Sequence, residues 1–93
     1  MTFDWNDANI SHIALHGVRT EEAEQAISHN PLEIDYQHID GEDRVRLLGI
    51  TAHGRLLCVI VTLRYDKIRV VTAYTATPSQ RRFYFKMAGF PND

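Results

Sequence analysis

A single cysteine, Cys58, cannot form an internal disulfide, so no covalent staple is available to this fold. Its apolar neighbours point to a buried thiol. The longest apolar run, residues 56–63 with Thr62 inside it, is far too short to span a bilayer. The first residues, Met1-Thr2-Phe3-Asp4-Trp5, lack the basic start and apolar stretch of a secretory signal, which points to a reduced, cytoplasmic setting. There is no glycine-rich phosphate loop, no G-x-S-x-G and no dinucleotide fingerprint, so nucleotide-dependent enzymology is not expected. No repeat, low-complexity stretch or linker divides the chain. Its 93 residues are expected to form a single domain, 1–93, around one modest core. With 44% apolar and 24% charged residues, disordered and collagen-like readings fall away.

The charge is present in quantity but unevenly placed. Residues 1–43 carry ten acids and one base, Arg19, a balance of −9. Residues 44–93 carry nine bases and only two acids, Asp66 and Asp93, a balance of +7. Such asymmetry suggests a basic face that meets an anion, with nucleic acid the usual candidate. The competing reading is that the two halves fold together and neutralise each other through surface pairs.

Periodicity divides the chain into elements. Phe3 to Trp5 is a candidate short leading strand. Over 6–16, Ile10, Ile13 and Ala14 form one apolar stripe, and Gly17 supplies a stop. Thr20 is placed to cap a second helix, whose first turn holds Glu21, Glu22 and Glu24 where the dipole favours negative charge. Asn30-Pro31 ends it. Leu32, Ile34 and Tyr36 then alternate with Glu33 and Asp35, the pattern of a strand with one wet face and an edge open to pairing. Gly41 to Asp43 is read as a polar turn, 45–51 as the second strand, and Ala52-His53-Gly54 as a hairpin connection. Residues 55–64 are apolar on both faces and belong at the centre of the sheet. Tyr65-Asp66 turns the chain into a fourth strand, 67–74. Thr77-Pro78 reads as N-cap and first residue of a final helix that runs to about Met87. The class is α+β: two N-terminal helices, a four-stranded antiparallel meander and a C-terminal helix, with the helices expected on one side of a curved sheet.

Candidate chemistry concentrates on basic residues. Arg46, Arg64 and Arg69 come from three strands that neighbour one another in a meander. Arg81 and Arg82 fall in the first turns of the last helix, beside an N-terminus that itself favours anions. Tyr74 and Tyr84 supply π-faces on which a base can stack. Arginine forks bind phosphate bidentately and stabilise the pentavalent phosphorane of RNA cleavage. Asn9, His12 and His16 share one face of the first helix, and histidines at i and i+4 can share a metal or act as acid and base. Position 13 is Ile rather than the Glu of H-E-x-x-H, and no third ligand is evident, so no metal site is assigned. Cys58, in mid-strand among apolar residues, is read as core.

Taken in order, these residues form a pattern. Phe3-x-Trp5-Asn6, Asn9, His12-Ile13, His16-Gly17-Val18 and Glu21-Glu22-Ala23 resemble the opening of the BrnT family of toxins. Gly49, Gly54-Arg55-Leu56-Leu57, Val61-Thr62-x-Arg64, 68–73, and Thr77-x-x-x-Arg81-Arg82-x-Tyr84 follow the family order over nearly the whole chain. The resemblance implies a RelE-like fold and a ribonuclease toxin of a type II toxin–antitoxin pair that cleaves RNA and inhibits translation. It also implies neutralisation by a BrnA-like antitoxin, in a dimer or two-plus-two complex that represses its own promoter, with no cofactor. Carried over by position, Arg64 and Arg69 match basic strand positions, Arg81 and Arg82 match the last helix, and His16 matches the histidine of the H-G-V turn. Arg64, Arg69, Arg81, Arg82 and Tyr74 are accordingly the candidate catalytic residues, and Arg46, His16 and Tyr84 the candidate RNA-binding ones. The family commonly has Arg where Tyr74 stands, Glu where Gln80 stands and Asp where Asn6 stands. These departures keep open a second reading, a catalytically weakened binding module that works through its antitoxin and the promoter complex.

Overall fold

The computed structural model describes residues 2–89. Eight elements follow in order: β1 (Thr2–Phe3), α1 (Asp7–Ala14), α2 (Thr20–Ser28), β2 (Leu32–Ile39), β3 (Glu42–Ile50), β4 (Leu56–Arg64), β5 (Lys67–Thr75) and α3 (Pro78–Met87). The strands form one mixed sheet in the order β1-β5-β4-β3-β2. β2 to β5 are the expected antiparallel meander, and β1 adds a short parallel strand beside the start of β5. The leading strand thus exists, one residue earlier than Phe3 to Trp5, with the Asp4 amide still donating to the Ile68 carbonyl at 2.8 Å.

β4 is buried on both faces, and the register separates the two. Leu57, Val59 and Val61 point to the side covered by α1 and α2, where they pack with Ile13, Val18, Ala23 and Ala26 and with Val70 and Ala73 of β5. The approach of α2 is close enough that a Cβ at Gly49 would overlap the Ala26 carbonyl oxygen. Leu56 and Cys58 point the other way and pack with Leu48 and with Tyr84 of α3. α3 therefore lies on the opposite face from α1 and α2, and the expectation of helices on one side alone is corrected. A strand that is apolar on both faces needs apolar cover on both.

Local chemistry sets most boundaries. The Asn6 side chain caps α1 by accepting the Asn9 amide at 2.8 Å, and Thr77 caps α3 by accepting the Gln80 amide at 3.1 Å. At α2 the N-cap position is Arg19 rather than Thr20, and the Glu22 carboxylate accepts the Arg19 amide at 3.0 Å. The β2–β3 turn is Asp40-Gly41, with φ of 51° and 79°, instead of 41–43. Asp-Gly suits a two-residue hairpin in which both central residues need positive φ, so β2 runs three residues further than Tyr36 and β3 begins earlier.

One tie joins the α1–α2 connection, α2 and the sheet. Arg55 donates to the Gly17 carbonyl at 2.8 Å, to Glu22 at 3.2 Å and to the Thr75 hydroxyl at 2.9 Å. The Arg19 amide, and then Arg55, hold the Glu22 carboxyl below its ordinary value of 4.5. A carboxyl that titrates lower folded than unfolded adds stability above its unfolded pKa, and that stability is lost as the pH falls through the folded value. Glu22→Gln is expected to lower the thermal midpoint at pH 7 and to match the wild type near pH 3. An equal deficit at both pH values would contradict this. Gly49→Ala is expected to cost about 3 kcal/mol in denaturant unfolding by forcing α2 off the sheet, and a loss below about 0.5 kcal/mol would refute the close packing.

Candidate functional site

The face that carries α3 is only partly covered. α3 seats Tyr84 over Leu48, Leu56 and Cys58. Beyond that contact, toward the β2–β3 and β4–β5 turns, the cross-strand rows become polar. Arg46, Ile60 and Thr72 face one another across β3, β4 and β5, and the next row is Arg44, Thr62 and Arg69.

The β5 edge completes the site. β1 pairs only with Lys67 and Ile68, so the later half of β5, paired with β4 on one side, has no strand on its outer side. α1 lies there instead. His12 Nε2 is 3.1 Å from the Thr72 hydroxyl. The His12 and His16 rings meet edge to face at 5.5 Å between centroids, and His16 stands edge-on to Tyr74 at 6.5 Å. Thr72 and Tyr74 are two residues apart on one strand and share this face. Gln80, at the start of α3, donates to the Tyr74 phenol oxygen at 3.3 Å and lies 3.6 Å from the Cys58 sulfur.

The electrostatics of these groups differ. Burial, reinforced by the neighbouring Cys58 thiol, raises the Tyr74 phenol above its ordinary 10.0. Burial likewise pushes the Cys58 thiol up, which leaves a core sulfur rather than a thiolate nucleophile. The positive charge of Arg46 reaches both groups and opposes both shifts. Arg46 itself forms no ion pair among the described residues, and its Nε is buried without a partner.

The other basic residues are distributed unequally. Arg69 is on the same face but donates to Asp4 at 2.9 Å, and that bond holds the Asp4 carboxyl below its ordinary range. Arg64 lies 3.6 Å from Glu42, which also sits 3.8 Å from Arg44. The acidic half therefore pairs with much of the basic half, while Arg46, whose cross-strand neighbour on β2 is Asp35, is the sheet arginine that forms no ion pair among the described residues. Arg81 stacks over the Phe85 ring at 4.8 Å, and Arg82 is exposed. Gln80, not either of these arginines, is the residue by which α3 touches the cluster. Tyr84 is 9% exposed and forms the core contact of α3, so its ring presents no open face on which a base could stack. Among the described residues no three His, Cys, Asp or Glu side chains converge as a metal site would require.

Thr72 and Thr62 were not candidates from sequence. The available signal was strand alternation, since Thr72 precedes Tyr74 by two residues and Thr62 precedes Arg64 by two. The way α1 bends His12 and His16 around the β5 edge had no signal, because it depends on β1 being two residues long.

The whole of this cluster falls inside the stretch that matches a known family. The family model of the ribonuclease toxin BrnT of type II toxin–antitoxin systems matches residues 5–80. No individual curated protein matches closely enough to stand as a relative. With most of its length matched, the chain belongs to the BrnT family of ribonuclease toxins of type II toxin–antitoxin systems.

Proposed function

We propose that this protein is an active endoribonuclease that cleaves RNA on the open face of its sheet and thereby inhibits translation. The observation that carries the reading is Arg46: a guanidinium without a carboxylate partner among the described residues, facing the same surface as Thr72 and Tyr74. Arg46 stands two strands from Thr72, about 10 Å at the backbone, a gap that an extended arginine largely bridges.

In this reading the 2′-hydroxyl attacks its own phosphorus, the 2′-oxygen–phosphorus bond forms and the bond to the 5′-oxygen breaks. His12, set against Thr72, takes the proton from the 2′-hydroxyl, with His16 packed behind it. Arg46 binds the non-bridging oxygens and stabilises the charge that accumulates in the phosphorane. Tyr74, a phenol protonated at neutral pH and set on the same face, gives its proton to the departing 5′-oxygen. The products are a 2′,3′-cyclic phosphate and a free 5′-hydroxyl, and protein groups alone suffice. Arg69 and Arg64 add positive charge at the rim of the face, and Arg81 and Arg82 extend it along α3 for the strand outside the reacting centre.

The remainder of the proposal concerns partners and setting. A RelE-like toxin domain over 1–93 acts in the cytoplasm and is neutralised by a BrnA-like antitoxin in a dimer or two-plus-two complex. β2 is an edge strand whose outer backbone groups are open to such a partner. One observation favours a second reading, the weakened binding module. Gln80 donates to the Tyr74 phenol oxygen, so two of the three residues that differ from the family pattern are tied in a neutral pair.

Partner-free protein incubated with total RNA separates the two. Cleavage by the wild type, reduced about a hundredfold in a folded Arg46→Ala variant, is the expected result. Undiminished cleavage by Arg46→Ala would overturn the role of Arg46, and no cleavage by the wild type would favour the binding module.

A further inference from the structure

Next to the Arg46 row lies a second row of groups, none of which takes part in bond making or breaking in the proposed reaction. Arg44, Thr62 and Arg69 are direct cross-strand partners on β3, β4 and β5 and share the open face. Thr62 is 1% exposed, and its hydroxyl has no hydrogen-bond partner among the described residues. The Nε atoms of Arg44 and Arg69 on either side are also buried without partners. Each of these guanidiniums meets a carboxylate through another nitrogen, Arg44 near Glu42 at 3.8 Å and Arg69 on Asp4 at 2.9 Å. The carboxylates at the rim thus offset charge but leave the inward donors unmade.

Buried donors without acceptors are rare in folded proteins because each forfeits its hydration without replacement. Here two such N–H groups and one hydroxyl fall in a single row, between two cations. That combination suits a tetrahedral oxyanion, which presents several acceptors to convergent donors and tolerates two guanidiniums beside it. The row lies two residues from the Arg46 row along β3 and β4, about 6.6 Å, and three along β5, where the register shifts. That step is comparable with the distance between successive phosphates in an extended single strand.

We propose that Arg44, Thr62 and Arg69 form a second phosphate subsite, which holds the phosphodiester next to the one at Arg46. The substrate is therefore an RNA strand engaged over at least two successive phosphates. This deepens the ribonuclease reading and rests on it for the identity of the strand. It also gives Thr62 a binding role in a position where a structural role would call for valine.

Two non-cleavable 2′-O-methyl RNA probes test it on partner-free protein, a dinucleotide with one phosphate and a trinucleotide with two, read by calorimetric titration. The wild type is expected to bind the trinucleotide about tenfold more tightly than the dinucleotide. In Arg44→Gln and in Thr62→Val the ratio is expected to fall to about one. Thr62→Val is also expected to raise the melting temperature of the free protein, since it removes a buried hydroxyl that bonds to nothing. A ratio near one in the wild type, or a tenfold ratio retained in both variants, would overturn the subsite. A lowered melting temperature in Thr62→Val would do so too, by showing that the hydroxyl is structural. Cleavage of total RNA by the wild type keeps the two claims apart. RNA cutting with a ratio of one sinks the subsite alone, and a tenfold ratio without cutting sinks the ribonuclease reading and leaves the subsite standing.

Discussion

β4 is apolar on both faces, and the rest of the structure answers that requirement. Leu57, Val59 and Val61 call for cover on one side, Leu56 and Cys58 on the other. α1 and α2 supply the first through Ile13, Ala23 and Ala26, with Gly49 letting the α2 backbone sit directly on the sheet. α3 supplies the second, but its ten residues span only about 15 Å. The nine-residue strands beneath it run to about 30 Å. One end of that face therefore stays open, and the open end is where Arg44, Arg46 and Arg69 project. In the proposed reading that open end is where RNA lies, left accessible by a core helix too short to close the face.

Charge distribution within the open end is equally selective. The acidic first half of the chain does pair with the basic second half, through Glu22 and Arg55, Asp4 and Arg69, and Glu42 with Arg44 and Arg64. The reading in which the two halves neutralise each other through surface pairs is thus realised in part. Arg55 is consumed by structure, in a tie that holds α2 to β5. Arg69 is held by Asp4 in a half-buried pair, while Arg64 meets Glu42 at the rim, where a more exposed pair is worth little and a phosphate can compete. Arg46 alone among the sheet arginines has no carboxylate partner among the described residues, and its charge reaches the Tyr74 phenol of β5.

Much of this was legible from local sequence. Thr77-Pro78 announced the start of α3, and the alternation in residues 32–36 announced an edge strand. What escaped was long-range. The cluster of polar residues at Gly41–Asp43 suggests the turn, yet the backbone demand for positive φ falls on Asp40-Gly41. Tyr84 reads as a surface aromatic on a polar helix, and only the position of α3 over Cys58 makes it core. The partnership of Asp4 with Arg69 spans 65 residues and depends on two residues of β1 pairing with β5. His12 and His16 read as a helix pair, and their approach to Thr72 and Tyr74 requires the bare edge that β1 leaves.

The central claim is that RNA lies on the open sheet face with Arg46 at its phosphate. The most direct test is an amide and arginine Nε–H NMR titration of partner-free protein with a non-cleavable oligoribonucleotide. The account predicts shifts at the Arg46 Nε–H and at the Thr72 and Tyr74 amides, while Arg55 and the outer surface of α2 stay unmoved. Shifts confined to α2, or to the outer face of α3 with Arg46 silent, would contradict it.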